Sequence, residues 1–300
     1  MDSSVYIQIT LCILGIIGNA TSVGVLSKMK SKSLRLLKYL NVVDVVLLVT
    51  VCTALMLREP MTVGFAHVAY YMGVCITSLI FVVHTFEAYL TVLIAFVRCM
   101  AVAMPFRFAT SMRDSVQSRL LIAVAVFSVL FNLPSILAEL QLLHGKTSVV
   151  WISHFSFFFQ QIFCRFLPIL AIIICNIILV VSRCRMKSLP GQDNQCRSPN
   201  RRHSRNAFQL TCLVLAITTM FIATHGFLLF YDVCYKICDI AVLHDSDLPA
   251  IVSFMVIINS ATNFIFYCLI GSDFRTALIS LCKKTSRSTR RKRSLPVSSV

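Results

Sequence analysis

The sequence predicts an all-α membrane protein: a bundle of seven transmembrane helices followed by a short amphipathic eighth helix on the inner leaflet. Three observations predict it. Of the 300 residues, 57% are hydrophobic and 13% charged, with a mean hydropathy of +0.82, whereas a soluble globule carries about a quarter charged residues. Seven apolar runs, near 5–27, 36–57, 69–97, 119–140, 155–182, 207–232 and 249–271, each reach the ~20 residues that a helix needs to cross the hydrocarbon. Lysine and arginine gather between alternate runs rather than being spread along the chain.

The runs are too long and unbroken for the strands of a barrel, and backbone groups in lipid must be satisfied within the segment, so each run reads as a helix. The opening MDSSVYIQITLCILGIIGN lacks a basic start and a small-residue cleavage pattern. It reads as the first span, not as a removable signal. The third and fifth runs exceed bilayer thickness and should tilt or project into water. After the seventh, GSDFRTALISLC places Phe274, Leu278 and Leu281 against Arg275, Lys283 and Lys284. That is the pattern of a helix lying in the interface, with Cys282 set for palmitoylation and anionic lipid as partner. The expected organisation is therefore a short outer N-terminus (1–4), the bundle (5–271), the interfacial helix (272–283) and a disordered basic tail (284–300).

Charge sets the orientation. The stretches 28–38, 98–119, 183–206 and 272–300 hold five, four, seven and eight Lys or Arg, which is 24 of the 28 in the chain. The positive-inside bias puts these stretches in the cytoplasm and the N-terminus outside, as in a multi-pass plasma-membrane protein. The +16 formal charge thus belongs to membrane topology, and nucleic acid is not an expected partner. The 13 cysteines are odd in number and lie mostly in apolar runs, so most read as small buried hydrophobes.

Seven spans suit a receptor, a retinal pump, or part of a transporter or channel. A retinal Schiff base needs a lysine in span seven, and 249–271 has none. Transporters show internal repeats with matched helix breaks, and no such repeat is visible. No nucleophile–base or metal-ligand motif points to an enzyme.

Ionisable groups inside spans cost at least ~2.5–3.5 kcal/mol on insertion scales and are functional candidates by default. Asp44 in span two, Glu87 in span three, and Asn259 and Asn263 in span seven suggest a hydrated polar cluster. It would hold a cation, or share a proton between two carboxylates that cannot cheaply both ionise. The plainer alternative is that these groups glue helices together by hydrogen bonds.

GIIGN of span one, LNVVD of span two, Arg98 after span three and NFIFY of span seven resemble, in order and spacing, the rhodopsin-like G-protein-coupled receptors. NSATNFIFYCLIGSDFR and FSVLFNLPSILAE further resemble the invertebrate FMRFamide-type neuropeptide receptors. The resemblance implies a receptor for an extracellular ligand, expected to be a peptide, that acts on heterotrimeric G proteins. A chemosensory receptor of the same fold for small molecules is the alternative, and a seven-span transporter or channel a third reading. No cofactor is implied beyond a sodium ion at Asp44, Glu87, Asn259 and Asn263. The resemblance assigns activation to Arg98, Tyr267, Asn263, Pro168 and Phe221. It places ligand contacts at Phe81, His84, Phe163, Arg165, His225, Phe227 and Phe230, with the two histidines near each other at the pocket floor.

Departures from the family pattern carry their own expectations. Val97 replaces the acid that normally restrains the arginine, which predicts a missing lock and high basal activity. His225 stands in place of the span-six tryptophan, no proline follows it, and Phe264 replaces the proline of span seven. Cys75 lies near the usual disulfide position, with no partner between Pro134 and Cys164, so Cys234 and Cys238 are alternatives. Asp232, Asp239, Asp245 and Asp247 make the outer third loop acidic, a feature that would steer basic peptides.

Overall fold

The computed structural model describes residues 3–29, 34–57, 66–143, 155, 158–187, 200–236 and 248–293, and among them there is no strand. Seven helices are long and apolar enough to span a bilayer. They are Ser3–Lys28, Arg35–Leu57, Ala66–Ala103, Asp114–Leu143, a π-helical turn Gln161–Phe166 continued by Leu167–Lys187, Asn200–Lys236, and Leu248–Ala261 with Asn263–Ile270. They are called spans one to seven. The chain is a multi-pass membrane protein. Its outward faces are apolar, with Ile122, Leu130 and Leu269 at 63%, 61% and 69% exposure, as expected where lipid and not water is the surrounding solvent.

Span three sits against spans two, four and five, while span one packs on two and seven. Close approach of spans one, two and seven depends on Gly15. A Cβ there would lie 2.7 Å from Leu48 Cδ1 and 2.9 Å from Ala261 Cβ, so only a residue without a side chain fits. Small residues at such crossings let backbones meet where no hydrophobic force drives helices together.

Helix irregularities have local causes. Met104 precedes Pro105 and adopts φ −137° and ψ 65°, because the proline ring bars its neighbour from the helical region. Span three therefore stops at Ala103, and the proline opens the short helix Pro105–Ser111. Pro168 is buried and offers no N–H to the turn before it. The chain absorbs that loss in the π turn, where the Leu167 N–H reaches the Ile162 carbonyl. Span seven bends at Thr262, far from its one proline, Pro249 in the first turn: the Thr262 hydroxyl donates to the Ile258 carbonyl at 2.9 Å, and such back-bonding bends helices. Span six, by contrast, runs unbroken through Gly226.

Most spans run several residues past the sequence reading, and two boundaries differ by more than that at one end. Span six begins at Asn200 instead of 207. The helix after span seven runs from Ser272 to Arg293, ten residues past the expected end at 283. Phe274 does not insert outward into lipid. It is 3% exposed and stacks on Tyr267 at 5.3 Å, with Leu278 and Leu281 packed on the same cluster. A ring that can bury against Tyr267 and Phe264 gains packing contacts that lipid tails would not match.

Candidate functional site

The polar residues fall at three levels along the bundle. At its centre, Asp44 accepts a hydrogen bond from Asn263 Nδ2 at 2.6 Å, and Glu87 accepts one from Asn259 Nδ2 at 2.6 Å. The four candidate residues of the polar cluster thus meet as two acid–amide pairs, with both amides on span seven. The carboxyl groups are near neighbours. Asp44 Oδ1, Glu87 Oε2 and Ser260 Oγ are nevertheless buried without a hydrogen-bond partner. Neither acid has a basic partner among the described residues. Asn19 donates to the Ser260 carbonyl at 2.8 Å and leaves its own Oδ1 unpartnered. Such a set of buried, unsatisfied oxygens is what a proton, a water or a hard cation would fill. Among the described residues no group of three His, Cys, Asp or Glu is arranged to hold a metal ion, so any cation there would rely on hydroxyl and amide oxygens as well.

One level away, His84 and His225 stack with ring centroids 4.8 Å apart, and Phe221 stacks on His225 at 3.7 Å. The Nε2 atoms of both histidines are buried and unpartnered. Thr224 links this level to the acids, with its hydroxyl 3.2 Å from Asn259 Oδ1 and 3.3 Å from His225 Nδ1. Beyond the histidines, Arg165 pairs with Asp232 and also donates to Gln161 Oε1 and the Leu228 carbonyl. Arg165 is therefore satisfied within the protein, and Asp232 is neutralised by it.

The aromatic ligand candidates separate. Phe163 belongs to a ladder with Phe131 and Phe159 between spans four and five. Phe81 is half-buried one turn from His84. Phe227 and Phe230 do not join the histidines: they are 39% and 66% exposed and share an exposed stripe of span six with Thr219 and Ala223. Their side chains point away from the bundle.

At the third level, Val97 leaves Arg98 without a neighbouring acid, and the arginine turns to span six. Its Nε and Nη2 donate to Thr211 Oγ1 at 3.1 and 2.8 Å, and Nη2 also reaches the Ala207 carbonyl. The absent acid therefore does not leave Arg98 loose. Tyr267 is 1% exposed and accepts from Asn41 at 2.8 Å. Arg98 and Tyr267 border a shared cavity of about 280 Å³, and Arg98 also lines one of about 570 Å³ with residues of spans two, three, four and six and the Pro105–Ser111 helix.

Sequence reasoning missed a polar network joining spans three, four and five. Asn132 donates to Thr85 at 3.0 Å, and Gln160 donates to Asn132 Oδ1 at 3.2 Å. The signal was present as an amide and a hydroxyl inside apolar runs, but nothing in sequence says which helices face each other. Thr211 was missed for the same reason. Cys75 and Cys234 carry free thiols. Cys238, Asp239, Asp245 and Asp247 lie outside the described residues, as does the side chain of Cys282.

The chain thus presents seven apolar spans with an arginine at one end and two acids at the centre. Residues 145–285, a little under half of the chain, match the family model described as serpentine type 7TM GPCR chemoreceptor Srw. That match supports a G-protein-coupled receptor and does not single out the FMRFamide-type receptors. No curated protein matches the chain.

Proposed function

We propose that the protein is a chemoreceptor of the G-protein-coupled class, recognising a small extracellular molecule and acting on a heterotrimeric G protein. The chemoreceptor family match over residues 145–285 carries this reading. It favours the small-molecule alternative over a neuropeptide. The peptide reading leaned on an acidic outer loop, and of its four acids Asp232 lies in the last turns of span six instead, already paired with Arg165.

In this reading the basic loops and the Arg98 end face the cytoplasm, in line with the positive-inside bias. The His84–His225 level is the floor of the ligand cavity. Two buried imidazole nitrogens without partners are polar groups of the kind that orient a ligand in an otherwise apolar pocket. Asp44, Glu87, Asn259 and Asn263, joined by the unpartnered Ser260 hydroxyl, then hold sodium or a proton between the ligand floor and the Arg98 end. Ligand that favours the open arrangement shifts the population away from the one in which Arg98 is tied to Thr211.

The test is expression in cells with surface delivery confirmed, followed by G-protein activation against small-molecule and amidated-peptide panels. A small molecule should raise signalling in the unaltered chain and fail in Arg98→Ala. A response confined to amidated peptides would restore the neuropeptide reading, and ion flux without G-protein activation would exclude both.

A further inference from the structure

At the Arg98 end, two cations converge on one neutral oxygen. Arg98 from span three offers Thr211 Oγ1 two N–H groups, at 3.1 and 2.8 Å, and Arg183 from span five offers a third at 3.1 Å. A hydroxyl has only two acceptor lone pairs, and the proton of this one is given to the Ala207 carbonyl at 2.9 Å. Thr211 is over-subscribed. Arg183 Nε is also buried with no partner, and the rest of that guanidinium lies over the Phe208 ring at 5.6 Å.

Neither arginine has a carboxylate partner among the described residues. Two guanidinium groups one hydroxyl apart repel each other, and partial removal from water strengthens that repulsion. Native structures place such pairs around an anion, because charge-assisted bonds to oxyanions are the strong ones for arginine. Cavities of about 570 and 280 Å³ adjoin Arg98 but do not border Arg183, so an anion that bridges the two displaces one guanidinium from Thr211. The exposed Arg185 and Arg205, on the same ends of spans five and six, extend the positive field towards the surrounding medium.

We infer that Arg98 and Arg183 form an anion site for a phosphate monoester. Its dianionic charge matches two cations, and its several oxygens match the donors that crowd Thr211 and the orphaned Nε. A carboxylate would bring only one charge. The bound group bridges spans three and five while Thr211 keeps span six in contact, so it stabilises the closed bundle. The inference takes the Arg98 end as cytoplasmic, as proposed above, where both a lipid headgroup and soluble phosphate are available.

The full chain in lipid nanodiscs tests this without agonist or G protein, so failure of the receptor reading leaves the result interpretable. Thermal midpoints are compared in neutral phosphatidylcholine discs, in discs with phosphatidic acid, and in discs with phosphatidylglycerol at matched charge. Inorganic phosphate is titrated separately into the neutral discs. The midpoint should rise by several degrees with phosphatidic acid and not with phosphatidylglycerol if the source is a headgroup, or with inorganic phosphate if the source is soluble. Arg183→Gln should raise the half-saturating concentration roughly tenfold, and Arg183→Lys should recover part of that loss. No rise from either phosphate source, an equal rise with phosphatidylglycerol, or a rise that Arg183→Gln leaves intact would each overturn the site.

Discussion

Asp44 with Glu87 and Arg98 with Arg183 are both pairs of like charge in the bundle, and the protein treats them differently. Each acid at the centre has its own amide, at 2.6 Å, from span seven. The two bases share a single hydroxyl from span six, which also bonds its own backbone. Span seven is therefore held by two separate bonds to charged groups at the centre, whereas at the Arg98 end span six is held through the shared Thr211 hydroxyl and the Ala207 carbonyl. If the protein switches as proposed, the Arg98 end of span six is expected to move before span seven, because its tether there is a shared neutral oxygen and not a pair of bonds to charged groups.

Breaking the span-six tether should have the largest effect. Thr211→Val keeps the shape and removes the oxygen. Hydrogen bonds to charged groups are worth ~1.5–3 kcal/mol, so ligand-free signalling should rise roughly tenfold, read by a G-protein activation assay. Unchanged basal signalling would mean that Thr211 does not restrain Arg98.

Asn263→Leu attacks span seven instead. It strips Asp44 of its amide donor, an uncompensated buried polar group costing ~1–3 kcal/mol. The thermal midpoint should fall by several degrees without a rise in basal signalling. Any stabilisation that sodium gives over a bulky organic cation should shrink in Asp44→Asn, and a sodium effect that survives this change removes Asp44 from the cation site.

Asn132→Leu cuts the network between spans three, four and five, far from both charge pairs. Bonds of this kind within membranes average ~0.6 kcal/mol and reach ~1.7. A small drop in midpoint with normal signalling is expected, and altered signalling would show that this network is a further tether on the switch. Smallest of all is Asp114→Asn. The Arg35–Asp114 pair spans 3.3 Å with side chains 32% and 40% exposed, and exposed pairs contribute ~0–1 kcal/mol. A loss larger than that, or one insensitive to salt, would promote this pair from surface contact to structural link.

Much of the fold was legible because bilayer physics leaves few options. Runs such as 36–57 or 249–271 must be helices, and their number follows from counting. Legibility failed wherever local chemistry had two solutions. Phe274 reads as a lipid-facing residue from its helical pattern, yet it turns inward because Tyr267 and Phe264 offer a closer surface. Phe227 and Phe230 are expected among the pocket aromatics, but a helix places residues two and five positions after His225 along other faces, here the exposed stripe. Val97 reads as a missing lock, since a sequence shows which acid is absent and not which hydroxyl on another helix takes the arginine.

The sequence by itself determined the solvent the chain lives in, the number of spans and the positions of the charges. All of these follow from hydropathy along one dimension, where each residue adds its own transfer free energy. Only the tertiary structure decided the pairing: Asn263 with Asp44, Asn259 with Glu87, Arg165 with Asp232, and both Arg98 and Arg183 with Thr211. These partners are separated by as many as 219 positions, and helix rotation alone brings them together. A rotation of one residue about a helix axis leaves the hydropathy of a span unchanged and moves every one of these bonds.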